Sequence, residues 1–338
     1  DWSYRKKITI RENAGQDLTG YQIKLIIHYG SGTDSGSDIY MNGKCKTDFG
    51  DIRFTDSSGN LLPYWMEEKV DGDYAVFWVK VPNIPASGTK DIYIYYGNPD
   101  AAYAGSGDDT FVFFDDFEGT DLNLSKWTEI VHDVGYEVSD SILTVKGSGG
   151  GGEYIGGDTF FSYNHALRAR FKRDENFGGS SGHAASIGFD DRDDSNNYAG
   201  NGRDGGLFVW ASGDAAPRYY AWREGSKTYV GGNSLTSWKI VEIRWLPDSL
   251  EFLENDVSEA TITSNVPQDD CRVIFKGTDN YAYVDWVLIR KYVDPEPSIS
   301  AIGGEEEYTP PQTISAGEVS AQFLNAGGEA LGQVYDAY

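Results

Sequence analysis

The reactive side chains of this 338-residue chain are mostly carboxylates, with 53 Asp and Glu against 28 Lys and Arg and 4 His. Paired carboxylates can hydrolyse glycosidic bonds, and a retaining site holds its two carboxyls about 5–5.5 Å apart. On a strand that requires an even spacing, two or four residues along one face. Val241-Glu242-Ile243-Arg244-Trp245 places a cation where the second acid would stand, and Glu251 and Glu254, oddly spaced, point to opposite faces. The histidines His28, His132, His165 and His183 have no Gly-x-Ser-x-Gly elbow beside them, so no nucleophilic triad is indicated. The run Gly147-Ser148-Gly149-Gly150-Gly151-Gly152 lacks the Gly-Lys-Ser/Thr and the helix of a phosphate loop. These residues predict a protein that is not an enzyme.

Binding chemistry is better provided for. Trp210, Tyr219, Tyr220 and Trp222 crowd a Gly-rich stretch, and aromatic rings stack on sugar faces because both present apolar planes. Packing in a core is the alternative for any one of them. Cys45 and Cys271 fit no metal-ligand spacing; they form either one bridge between domains or two separate buried thiols. Asn123-Leu124-Ser125 is a glycosylation sequon.

The formal charge of −25 excludes nucleic acid and anionic lipid as natural partners, since both would be repelled. No apolar run is long enough to insert in a membrane. The start at Asp1-Trp2 reads as a processed N-terminus and predicts a secreted, extracellular or cell-surface protein.

These residues must be positioned by strands. Tyr21, Ile23, Leu25, Ile27 and Tyr29 alternate with Gln22, Lys24 and His28, and the pattern repeats over Ala75, Phe77, Val79 and Val81 and over Ile92, Ile94 and Tyr96. Period two means half-buried strands; His28, on the polar side, is expected to be exposed. Asp71-Gly72 and Pro247-Asp248 read as hairpin turns. No helical repeat is sustained over ten residues, so the fold class is all-β. Two β-sandwich domains are expected, at 1–103 and 111–300, joined by Ala101-Ala102-Tyr103-Ala104-Gly105-Ser106-Gly107. Pro310-Pro311 denies two backbone donors and opens a strand-forming tail at 309–338.

Trp2-x-x-Arg5, Asp51-Ile52-Arg53-Phe54, Leu62-Pro63-Tyr64-Trp65, Phe77-Trp78-Val79-Lys80-Val81-Pro82 and Ile92-Tyr93-Ile94-Tyr95-Tyr96-Gly97-Asn98 occur in an order that resembles a domain-of-unknown-function family common in archaeal secreted and cell-surface proteins, over residues 1–100. Residues 111–292, from Phe111-Val112-Phe113-Phe114-Asp115-Asp116-Phe117 to Tyr281-Ala282-Tyr283-Val284-Asp285-Trp286, resemble concanavalin/laminin-G-like jelly rolls. That second resemblance implies one Ca²⁺ shared between Asp116 or Glu118 and Asp285; an Asp285–arginine pair is the alternative.

The tail cannot bury both faces alone. Val319, Ala321 and Phe323 alternate, and Leu331 and Val334 follow a Gly-rich turn. Strand addition to a neighbouring copy through these residues predicts a homo-polymer, a filament or surface-layer subunit. The alternative is a glycan-binding adhesion protein that uses the jelly roll on a surface polysaccharide.

Overall fold

A computed structural model describes residues 2–131, 135–146, 153–174, 184–191, 204–211, 217–277 and 281–309. Two β-sandwiches make up nearly all of it, with one short helix at Gly107–Thr110. Among the described residues no helix is long and apolar enough to cross a membrane.

The first sandwich packs two sheets. One has the order Asp38–Tyr40, Leu18–His28, Tyr74–Ile84, Tyr64–Val70. Its long central pair is in the register the alternation demands: Ile23 lies opposite Val79 and Leu25 opposite Phe77, all four buried. Gly72, at φ +74, closes the expected hairpin between Val70 and Tyr74, a left-handed conformation that costs glycine nothing. The other sheet runs Ser298–Ile302, Tyr4–Arg11, Thr89–Tyr96, Arg53–Asp56, and Glu306–Glu307 adds to the edge of Tyr4–Arg11. Ile8, Ile10, Ile92 and Ile94 face the first sheet in one core.

The sequence reading runs the jelly roll through residue 300, into the strand Ser298–Ile302. That strand pairs instead with Tyr4–Arg11, Ile8 opposite Ile302 and Ile10 opposite Ile299. The chain therefore leaves the first sandwich at the helix, builds the second, and returns to finish the first.

The second sandwich has a sheet ordered Gly135–Ser139, Ile142–Lys146, Ala282–Lys291, His165–Arg173, Lys239–Leu246, Ser249–Glu254, Val257–Ile262, with Phe113–Asp115 beside Ala282–Lys291. The facing sheet runs Ser226–Gly231, Arg218–Arg223, Gly205–Ala211, Ala184–Asp190, Cys271–Gly277, Glu153–Phe161, Trp127–Val131. Between them lies one core that includes Trp127, Phe189, Trp245, Phe252 and Phe275. Lys239–Leu246 and Ser249–Glu254 meet at Leu246 opposite Ser249, across the expected Pro247-Asp248 turn.

The sandwiches stack face to face. Trp65 and Trp78, on the side of their strands away from the first core, pack against Phe111, Phe114, Trp286 and Leu288. Trp65 and Trp286 meet edge to face at 5.3 Å, a favoured aromatic geometry.

Of the two alternatives for Cys45 and Cys271, the structure has separate buried thiols, Cys45 in the first core and Cys271 in the second. Burial comes first among the causes that push the Cys45 thiol up to about 12. His28 is half-buried rather than exposed, stacked on Tyr40 at 4.4 Å and 2.7 Å from the Asp38 carboxylate.

Candidate functional site

The strand Arg218–Arg223 sends alternate side chains to opposite sides of its sheet. Tyr219 and Ala221 enter the jelly-roll core. Tyr220 and Trp222 face outward, their rings stacked at 5.7 Å and 17°. On the neighbouring strand Tyr229 lies directly opposite Tyr220, with ring centroids 5.4 Å apart. Three rings thus form one row across two strands. Its inner members are enclosed, with Tyr220 5% and Trp222 8% exposed, while Tyr229 at the rim is 45% exposed.

Cations border the row. The Arg218 guanidinium sits 3.9 Å from the Tyr229 centroid, and Lys227 lies 5.2 Å from that of Trp222. Both contacts fall within the range of cation–π attraction. Further along the same face Tyr154, Leu207 and Ile274 form an apolar cluster separate from the core, and Lys276 lies 4.8 Å from the Tyr154 ring. Tyr154, Leu207 and Ile274 are buried, as Tyr220 and Trp222 are, so of these four rings Tyr229 is the exposed one.

Of the four aromatics expected to bind glycan, Tyr220 and Trp222 lie on this face. Tyr219 does not; it stacks on Phe252 at 5.2 Å and donates to Glu254 at 2.8 Å inside the core. The physical reason is the pleat, which separates neighbours in sequence. Trp210 stands opposite Ala185 in the ladder, and its side chain lies outside the described residues. Tyr154 and Tyr229 were missed; for Tyr229 the signal was its register opposite Tyr220 across a hairpin.

A second concentration of polar groups joins the domains. Arg168, 1% exposed, makes a bidentate pair with Glu67 of the first sandwich at 2.8 Å on both sides, and reaches Glu242 and Asp256 at 2.7 Å. Arg290 and Arg244 also donate to Glu242, at 2.7 and 2.9 Å. Arg290 grips Glu296 at 2.7 and 3.0 Å, and Tyr21 of the first sandwich donates to the same carboxylate at 2.9 Å. Burial alone would raise the Glu242 carboxyl; Arg290, Arg168 and Arg244 hold it well below the usual range.

The residues expected to hold calcium are placed differently from one another. Asp285 is ion-paired with Arg170, the alternative the sequence left open. Asp116 is half-buried and Glu118 exposed; burial, with the nearby Glu118 and Asp115 carboxylates, pushes the Asp116 carboxyl upward. Among the described residues no three His, Cys, Asp or Glu side chains cluster as metal ligands would. Asn123 is exposed in a turn where its side-chain oxygen accepts from the Ser125 hydroxyl at 2.7 Å. The residues expected to drive assembly, Val319, Ala321, Phe323, Leu331 and Val334, lie outside the described residues.

Fold and faces define an all-β protein of two sandwiches, the second a jelly roll. Residues 48–130 match a domain of unknown function (DUF2341), a span from the second half of the first sandwich across the helix to the start of the second. An uncharacterised protein of Methanocaldococcus jannaschii is 24% identical over 326 residues, covering 90% of this chain and 56% of that protein. The chain therefore spans little more than half of that relative's length.

Among solved structures, the jelly roll is similar to a β-glucanase of Bacillus licheniformis, 12% identical, which covers 53% of this chain and 97% of its own with a TM-score of 0.40. An endo-β-1,3-glucanase from Pyrococcus furiosus is 11% identical over 54% of this chain and 95% of its own, at 0.41. A glycosyl hydrolase family protein from Mycobacterium fortuitum is 13% identical over 53% and 99%, at 0.41. The expectation that the chain is not an enzyme is withdrawn, since these structures of similar fold are named as glucanases and a glycosyl hydrolase; the likeness itself shows the fold alone.

Proposed function

We propose that the chain is a polysaccharide-binding protein of the cell exterior, with the outward face of the seven-stranded sheet as its glycan platform. The carrying observation is the row Tyr229, Tyr220 and Trp222, whose rings succeed one another at 5.4 and 5.7 Å. Tyr229, exposed at the rim, offers its ring to a sugar of a polymer, with Tyr220 and Trp222 backing it. Arg218, Lys227 and Lys276 supply N–H donors along its edges. The net charge of −25 favours neutral polymers, because polyanions are repelled at long range. An extracellular setting belongs to the same reading, since structural polysaccharides are met there.

Affinity electrophoresis in gels cast with neutral β-glucan or mannan tests this. The wild-type chain should be retarded in at least one gel, and Trp222→Ala should migrate as in a gel without polymer. Wild-type mobility unchanged in both gels would count against the platform.

A further inference from the structure

We infer that the cavity between the two sandwiches binds a single neutral sugar ring, at a site independent of the glycan platform. The cavity is a cleft of about 330 Å³ that opens to solvent on one side, the lower end of the roughly 300–1,000 Å³ usual for small-molecule sites, which favour domain interfaces. Trp78, Glu242 and Arg290 are buried in its wall, and Gly36 and Ser298 reach solvent at its rim. A polymer face and an open-mouthed cleft of this size call for different ligands.

Charge selects the ligand first. Lys24, Arg244 and Arg290 line the cavity together with Glu242, Asp256 and Glu296, so the signs balance and an ion gains little from entering. A neutral molecule that both donates and accepts gains from each wall.

Unspent hydrogen-bonding capacity selects it further. The Lys24 ammonium has three N–H donors and gives one to Asp256 at 2.7 Å. Hydroxyl oxygens can accept from the Lys24 ammonium, and hydroxyl hydrogens can use remaining lone pairs of the carboxylates. The indole of Trp78 adds an apolar wall, its N–H turned away to Glu67 at 2.7 Å. Donors, acceptors and one apolar plane within a ring-sized space are the requirements of a pyranose.

Calorimetric titration of the full chain with D-glucose, D-galactose and D-mannose, in wild type, Ser37→Tyr and Trp222→Ala, tests the site. Ser37 lines the cavity, and a tyrosine there fills its space. At least one sugar should bind; Ser37→Tyr should weaken it by about tenfold or more, and Trp222→Ala should bind it as wild type does. No binding of any of the three sugars, or equal affinity in Ser37→Tyr, would overturn the assignment. Should Ser37→Tyr not fold, a crystal of wild type soaked in the bound sugar decides: density beside Arg290 supports the site, and density elsewhere or none overturns it.

Discussion

Glu242 anchors the arginine cluster behind the domain junction, because three arginines share one buried carboxylate. Removing its charge leaves them short of compensation, and breaking a buried pair in this way costs about 3–5 kcal/mol. Glu242→Gln should lose that much stability in urea denaturation at neutral pH, whereas Glu251→Gln, at a half-buried pair 3.2 Å long, should lose less than about 1 kcal/mol. The pH dependence follows from the direction of the shift. A carboxyl held below its unfolded value of about 4.3 contributes fully above that pH and loses its contribution as pH falls through the folded value. The gap between wild type and Glu242→Gln should therefore narrow on acidification below pH about 4; a gap constant to pH about 2 contradicts this. At this scale the sequence was legible only where neighbours differ in kind. Tyr219 and Tyr220 are the same residue type, and only the strand's parity, set by partners far along the chain, decides which one meets the core.

The strand Ser298–Ile302 completes a sheet begun nearly three hundred residues earlier. Ending the chain at Pro297 uncovers the edge of Tyr4–Arg11 and removes Ile299 and Ile302, which pack on the first core. Two half-buried isoleucines are worth about 2–3 kcal/mol together, and an unpaired edge invites association. The shortened chain should melt earlier and elute partly as oligomer in size-exclusion chromatography; unchanged melting with a single monomer peak would contradict this. Strands with strong alternation, such as Leu18–His28 and Tyr74–Ile84, were readable from residue order, as were the Asp71-Gly72 and Pro247-Asp248 turns. The destination of Ser298–Ile302 was not, because pairing register depends on the partner and leaves no local mark. The polar side of Leu18–His28 was misleading for a related reason. Gln22 is 1% exposed and donates to the Thr110 carbonyl at 2.8 Å; a polar stripe buried against another domain looks the same in sequence as one facing water.

At the scale of the molecule, a tryptophan-rich seam and an arginine–carboxylate network make the two sandwiches one body. Trp65 touches Phe111, Phe114 and Trp286 within the seam, and truncating such a residue costs about 3–5 kcal/mol. Calorimetry of wild type should show one unfolding transition, and Trp65→Ala should separate it into two; a single transition in the variant would mean that the network alone couples the domains. The glycan platform lies on the jelly-roll sheet away from this seam, where Tyr229 at its rim reaches solvent. The account rests on that platform, and Tyr229 is its most accessible ring, so its removal spares the core. Titration of Tyr229→Ala with the polymer that retards wild type is the most direct test. The account predicts an affinity loss of about tenfold, the scale of one lost aromatic contact of roughly 1–1.5 kcal/mol, with melting unchanged; wild-type affinity in that variant would contradict it.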